Sequence, residues 1–248
     1  MLRVASLVLL ALAGCGGGPR RAAVRILVPD LLGSETPIAG VVLLALPYDR
    51  DSVLAALERR AATGRPHTAE LDSLFRAFRG PFLTFARASW RLERMTRQRD
   101  SLVRRAATSA AGTPAALELA ARLRALDDSL ARQEPEVERA RAALSAARDT
   151  LWPRMERLRA DARSWEATTY AGYDTIVRTL THDRLQEGVP DTTDATGRAT
   201  FWLRPGRWWV TARSPDPQDP NAEWYWNLPL GRDTLLLTPA TGRHRPRY

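Results

Sequence analysis

Two kinds of hydrophobic pattern divide the chain. Residues 24–28 (VRILV) and 39–47 (AGVVLLALP) are short apolar runs bounded by Pro, Gly and Ser, and they predict strands. The second run is almost continuously apolar, which predicts cover on both faces. From about Asp51 to Trp165 the spacing turns helical. Asp51 or Ser52 caps a first helix through Arg60, ended by Gly64 and Pro66. Thr68 caps a second, whose apolar set includes Leu71, Leu74, Phe78, Phe85, Leu92, Met95 and Leu102. Thr113-Pro114, a cap followed by proline at the first helical position, opens a third. On that third helix Leu123, Leu130, Val137, Leu144, Leu151, Leu158 and Trp165 recur every seven residues, the spacing of a coiled-coil seam. The turn at 109–112 makes the two long helices antiparallel partners. Pro81, Pro135 and Pro153 each remove a backbone donor. A continuous hairpin kinked at prolines is favoured because the seven-residue phase runs through Pro135 and Pro153, and a compact bundle of shorter helices is the alternative. Phe75, Phe78, Phe82 and Phe85 share one face and read as core.

After Tyr170 the pattern is again strand-like. Residues 176–180 fit either a fraying helix or a strand, and 189–197 (VPDTTDATG) form a turn-rich lead. Strands are predicted at 198–203, 207–213, 224–228 and 233–237, followed by a mobile basic tail. Pro205-Gly206 has the composition of a type II turn, whose twist does not suit a tight two-residue hairpin. The strands on either side should therefore diverge onto different sheets. Alternation then puts Phe201, Leu203, Trp208, Val210 and Ala212 inside, with Trp202, Trp209, Thr211 and Arg213 outside.

The first residues, MLRVASLVLLALAGCGGG, combine Arg3, an apolar run too short to span a bilayer and a small-residue ending. The order Leu12-Ala13-Gly14-Cys15 resembles the bacterial lipoprotein lipobox, which implies cleavage before Cys15 and lipid on that residue as the only cofactor-like group. Cys15 is the single cysteine, so no internal disulfide can form. Gly16, rather than Asp, resembles the outer-membrane sorting pattern of enterobacterial lipoproteins. The chain carries 37 basic and 28 acidic residues, a net charge of +9, and every basic residue is Arg. That bias is what GC-rich coding produces, so the charge is not read as a nucleic-acid signal. Attraction to anionic lipid or envelope polymers remains compatible with it.

The stretch DTTDATGRATFWLRPGRWWVTAR resembles the end of a carboxypeptidase-regulatory-like domain, a prealbumin-type β-sandwich. Thr193, Asp194, Gly197, Ala199, Phe201, Leu203, Pro205, Gly206, Trp208 and Val210 fill that pattern, and Pro37, Gly40 and Val42 resemble its start. The resemblance implies an accessory module with folding and binding roles and without catalytic residues. The expected class is α+β: a small Ig-like or prealbumin-like sandwich split by a long antiparallel, coiled-coil-like helical hairpin. The expected layout is a signal at 1–14, a lipidated tether at 15–23, a discontinuous sandwich at 24–48 plus 186–239, a helical insertion at 49–185 and a basic tail at 240–248.

Candidate chemistry is sparse. There is no GxSxG, HExxH or glycine-rich phosphate loop, and His67, His182 and His244 have no metal spacing. A non-enzymatic protein is expected. Asp191 and Asp194 suit turn hydrogen bonds to nearby amides. Asp216, Asp219, Asn221 and Glu223 offer oxygens to calcium in an order unlike an EF-hand loop, and a rigid Pro-rich loop accounts for them equally. Trp202, Trp209, Trp224, Tyr225 and Trp226 are either ligand-binding aromatics, suited to stacking on sugar rings, or buried packing surface. The leading expectation is a lipid-anchored envelope protein, at the outer membrane facing the periplasm, whose hairpin meets a protein partner. A glycan- or peptidoglycan-binding module is the alternative, and no nucleic-acid partner is expected. Periplasmic efflux adaptors also insert an α-hairpin into a β-domain behind a lipid anchor, but the half-lipoyl G-D-x-V-x-x-G-type turn is missing from 24–48.

Overall fold

The computed structural model describes residues 18–66, 68–110, 112–184, 186–231 and 234–247. The expected signal at 1–14, Cys15, Gly16 and His67 lie outside them. The fold is α+β, with two sheets facing each other and a helical layer on the outside of the second. The first sheet joins β1 (Arg20–Pro29), β2 (Glu35–Pro37) and β5 (Arg198–Leu203) antiparallel, with β8 (Leu235–Leu237) parallel to β1. The second runs β4 (Val189–Thr192), β3 (Val42–Leu46), β6 (Trp209–Asp216), β7 (Asp219–Pro229) and β9 (Arg243–Pro246), all antiparallel. Each sheet combines strands from before and after the helices, so the sandwich closes only when both ends of the chain are present.

Alternation builds the core between the sheets. Val24, Ile26 and Val28 of β1 and Phe201 and Leu203 of β5 meet Leu43, Ala45, Trp208, Val210 and Ala212 from the other side. The chain crosses from β5 to β6, and so from one sheet to the other, at Pro205-Gly206, where the strands are expected to diverge. Gly206 has φ +149°, away from the type II value, so the crossing is a more open bend. Gly197, at φ +72°, is irreplaceable on two counts: its backbone conformation, and a Cβ there would lie 2.6 Å from the Ile26 carbonyl oxygen. Asp194 holds the same turn, its carboxylate accepting from the Thr196 and Arg198 amides at 2.7 and 3.0 Å.

Four helices separate β3 from β4: α1 (Arg50–Glu58), α2 (Thr68–Ala107), α3 (Pro114–Thr169) and α4 (Tyr173–Arg184). Thr113 caps α3 as expected, accepting from the Ala116 amide at 3.3 Å. Both long helices run through their prolines, and they are antiparallel: Glu70 pairs with Arg154 near the root, Asp127 with Arg99 farther out. The continuous hairpin, not the compact bundle, is what forms.

Several expectations need correction. The cap of α1 is Asp49, which accepts from the Asp51 amide and the Ser52 hydroxyl, and the helix ends at Glu58. Asp51 instead accepts from the Tyr225 hydroxyl. Thr68, expected as a cap, is the first residue of α2. β1 starts at Arg20, inside the span assigned to the tether, because its pairing with β5 continues to Arg20–Leu203. Residues 189–192 form an edge strand, a position that tolerates Pro190. Residues 173–184 resolve as helix, their apolar side packed on β3 and α1. The basic tail is largely not mobile: Arg243–Pro246 is β9, hydrogen-bonded along β7.

The second sheet is covered on both faces. Leu43 and Ala45 point into the sandwich, whereas Leu44 and Leu46 meet Tyr48, Val53, Leu57, Tyr173, Ile176 and Leu180 outside it. The near-continuous hydrophobicity of β3 is thereby explained. No helix among the described residues is long and apolar enough to cross a membrane.

Candidate functional site

The five aromatics singled out from the sequence do not form one platform. Trp202 lies on the outer face of the first sheet, opposite Arg21, and is 66% exposed. It borders a recess of about 710 Å³ with Gln186, Glu187, His182, Arg204 and the buried Trp208. Trp209 is half-buried on the outer face of the second sheet, in register with Leu46 and Pro229. Trp224 packs against the sandwich core, its ring centroid 4.8 Å from that of His244.

Of the candidate ligand-binding aromatics, Tyr225 and Trp226 are buried and follow the packing alternative. Trp226 fills the sandwich and donates from Nε1 to the Thr238 carbonyl at 2.9 Å. A Cβ at Gly242 would fall 2.5 Å from that same nitrogen, so this glycine makes room for the indole. Tyr225, one position earlier, faces the helices. Both faces of β7 are buried at this point, which is why alternation alone does not assign an outward side.

The acidic loop is built as structure. Asp216 accepts from the Gln218 amide at 2.8 Å and contacts His244 Nε2 at 2.7 Å. Asp219 accepts from the Asn221 amide at 2.9 Å, and burial raises its carboxyl above the usual aspartate range. Asn221 accepts from Arg159, and Glu223 from Arg245. Each of the four side chains thus has an oxygen engaged by a protein donor, and no group of three or more His, Cys, Asp or Glu side chains suited to a metal ion occurs among the described residues.

The densest polar construction is the joint between the helices and the outer face of β7. Arg159 of α3 is 8% exposed and donates to Glu156 at 2.8 Å and to Asn221 Oδ1 at 2.5 Å. It also lies over the rings of Phe75 and Trp152, at 4.9 and 5.4 Å from their centroids. A single guanidinium therefore links both arms of the hairpin to the sheet. Arg159 holds the Glu156 carboxyl below the usual glutamate range.

Tyr225 is ringed by arginines. Its hydroxyl donates to Asp51 at 2.6 Å, and the guanidiniums of Arg213, Arg243 and Arg245 lie 6.0, 5.2 and 3.8 Å from its centroid. Arg50 donates to the same hydroxyl at 3.4 Å. Burial, then the hydrogen bond to Asp51, push the Tyr225 hydroxyl above its usual range. Sequence reasoning placed Arg213 on this outer face but missed Arg159 and the cluster, because the participating residues are scattered from Arg50 to Arg245.

The far part of the hairpin is different in kind. Among the described residues, every hydrogen bond, ion pair and ring contact of residues 88–149 that involves a side chain stays within the hairpin. The last tie to the sandwich along α2 is Arg87, which donates to the Leu31 carbonyl at 3.1 Å. From there to Ala107 the arm extends about 30 Å at the helical rise. Near its tip Val103 and Leu117 are 42% and 65% exposed. The chain matches no family model, no curated protein and no solved structure.

Proposed function

We propose that this chain is a non-enzymatic, lipid-anchored protein of the bacterial cell envelope, whose prealbumin-like sandwich sits near the membrane and whose hairpin engages a partner protein. The observation that carries the reading is the division of the hairpin. Its root is locked to the sandwich by Arg159 and a buried cluster, whereas its outer arm touches only itself and presents Val103 and Leu117. A two-helix arm about 30 Å long contributes nothing to the sandwich core, and two exposed aliphatic side chains beside the turn give it an apolar end. The lipobox-like Leu12-Ala13-Gly14-Cys15 supports the anchor, and Gly16, rather than Asp, supports the outer membrane as its place.

Two measurements test the reading separately. Cys15→Ser should abolish labelling by radioactive palmitate and release the protein from the membrane fraction; unchanged labelling overturns the anchor. A photo-crosslinking amino acid at position 117 should give one discrete adduct in living cells, and the same group at Arg139 should not. Absence of an adduct from 117, or an adduct to a second copy alone, overturns the partner role.

A second reading rests on Trp202, the one strongly exposed aromatic of the five, beside a recess that also offers Gln186 and His182. An aromatic face flanked by amide and imidazole groups suits a sugar ring. Tryptophan fluorescence should change with a peptidoglycan fragment or other glycan and lose that response in Trp202→Ala. A flat response across the panel removes this reading.

A further inference from the structure

Where the insertion meets the second sheet, a cavity of about 470 Å³ opens beside Tyr225. Its charge is one-sided. Arg50, Arg65, Arg213, Arg245 and Arg247 line it, against only two carboxylates, Glu166 and Glu223. Both carboxylates are already engaged: Glu166 by Arg65, and Glu223 by Arg245 at 2.8 Å, with Arg213 at 3.9 Å. Arg50 turns to hydroxyl and ring partners, Tyr225 at 3.4 Å and the face of Tyr173 at 5.8 Å. Its sequence neighbours Asp49 and Asp51 point elsewhere, to Asn227 and to Tyr225 with Arg243. Arg247 has no ion-pair partner among the described residues. The Arg213 guanidinium is pushed below the usual arginine range, first by burial and then by Arg245 nearby. The protein thus gathers more positive charge here than it neutralises.

We propose that this cavity binds a multiply charged oxyanion, a phosphate ester or pyrophosphate-type group, between the helical insertion and the sheet. The chemistry of the lining selects that class. A guanidinium presents a planar fork that matches phosphate oxygens in pairs, and the bonds are charge-assisted on both sides. A neutral sugar would leave the excess charge in place, and an apolar ligand would strip water from it without return. The volume falls within the range of about 300–1,000 Å³ typical of small-molecule sites. The lining comes from α1, the segment after it, the end of α3, β6, β7 and β9, so an anion seated here would tie the insertion to the sandwich. This inference does not depend on the anchor or on the partner of the hairpin.

The test uses the full chain in neutral detergent and inorganic pyrophosphate at constant ionic strength, balanced with chloride. The thermal midpoint should rise with pyrophosphate, and calorimetry should titrate one site per chain. Arg213→Gln combined with Arg247→Gln should weaken that binding roughly tenfold to a hundredfold for each arginine removed. Arg99→Gln, on the outer arm, should leave it unchanged. Arg247→Gln alone serves if the double variant loses its fold. Mixed micelles carrying phosphatidic acid then separate the sources: competition with pyrophosphate identifies a lipid headgroup phosphate as ligand, and no competition identifies a free phosphate compound. The absence of saturable binding, or equal binding by wild type and the arginine variants, overturns the proposal.

Discussion

At the root of the hairpin Met155 and Leu158 of α3 are 0% and 3% exposed, packed with Leu71, Phe75 and Phe78. Along the outer arm the seam is mixed, with Leu119, Leu130 and Val137 7%, 9% and 4% exposed and Leu123 only half-buried. The two regions also differ in phase. Inward positions of α3 follow strict steps of three and four from Leu119 through Leu130, Val137 and Leu144 to Leu151. The next step goes to Met155 instead of residue 154, which is exposed and paired with Glu70. This one-residue shift lies beside Pro153, which cannot donate to the preceding turn. The outer arm is therefore a plain two-stranded seam with one apolar stripe. The root has a rotated stripe, and Arg159 is brought round to face the sheet. Locking a helix pair to a third layer takes a second interface, and the phase shift provides it.

The comparison is most strongly tested at Met155. Met155→Ala should cost about 2–5 kcal/mol of unfolding free energy, because it empties a fully buried site in a three-way junction. Leu117→Ala at the tip should be neutral within about 0.5 kcal/mol. Urea denaturation measures both, and similar costs would erase the distinction. Next in size is Arg159→Met, expected to cost about 1–3 kcal/mol, since the buried Asn221 oxygen then loses its donor. Adding Asn221→Leu should cost less than the sum of the single changes. A strictly additive pair would mean that Arg159 acts through its ring contacts alone.

How legible these features were follows from the kind of pattern each leaves. The sandwich core at Ala199, Phe201, Leu203, Trp208, Val210 and Ala212 was readable because one face of each strand is apolar and the other polar. Thr113-Pro114 was readable because capping chemistry is local. β9 was not, since Arg243, His244 and Arg245 carry no apolar alternation; backbone pairing with β7 and stacking of guanidiniums on Tyr225 hold it. Between ligand binding and packing, the sequence leaves Trp226 open, because β7 is buried on both sides and alternation marks no outward face. Met155 and Arg159 fell outside the seven-residue register that picks out Leu151 and Leu158. The basic cavity left no linear trace, as its arginines come from segments far apart in the chain.

A pH series sharpens the contrast further. Glu156 is held below its ordinary value of 4.5, first by its hydrogen bond to Arg159. A carboxyl depressed in the folded state contributes stability that is complete above the ordinary value and disappears as pH falls through the depressed one. Stability should therefore decline as the pH is lowered below 4.5, and less so in Arg159→Met. Glu156 is partly exposed, so water screens the effect and it should be smaller than that of Arg159→Met itself. An identical acid profile in the two proteins would uncouple Glu156 from the joint.

The smallest effect is expected on the outer arm, at the one ion pair there that bridges α2 to α3 among the described residues. Arg99 donates to Asp127 at 2.7 Å, and the two side chains are 43% and 50% exposed. Exposed pairs of this kind contribute about 0.2–1 kcal/mol, because water screens the attraction and two long side chains must be held in place. A double-mutant cycle with Arg99→Ala and Asp127→Ala should give a coupling in that range, and 1 M salt should reduce it. A coupling above about 2 kcal/mol, or one indifferent to salt, would mean that this stretch is as tightly built as the root. The proposed partner-binding arm would then be a rigid strut. With a weak, screened coupling, the arm is held by its apolar seam, and its exposed apolar end is left for another protein to cover.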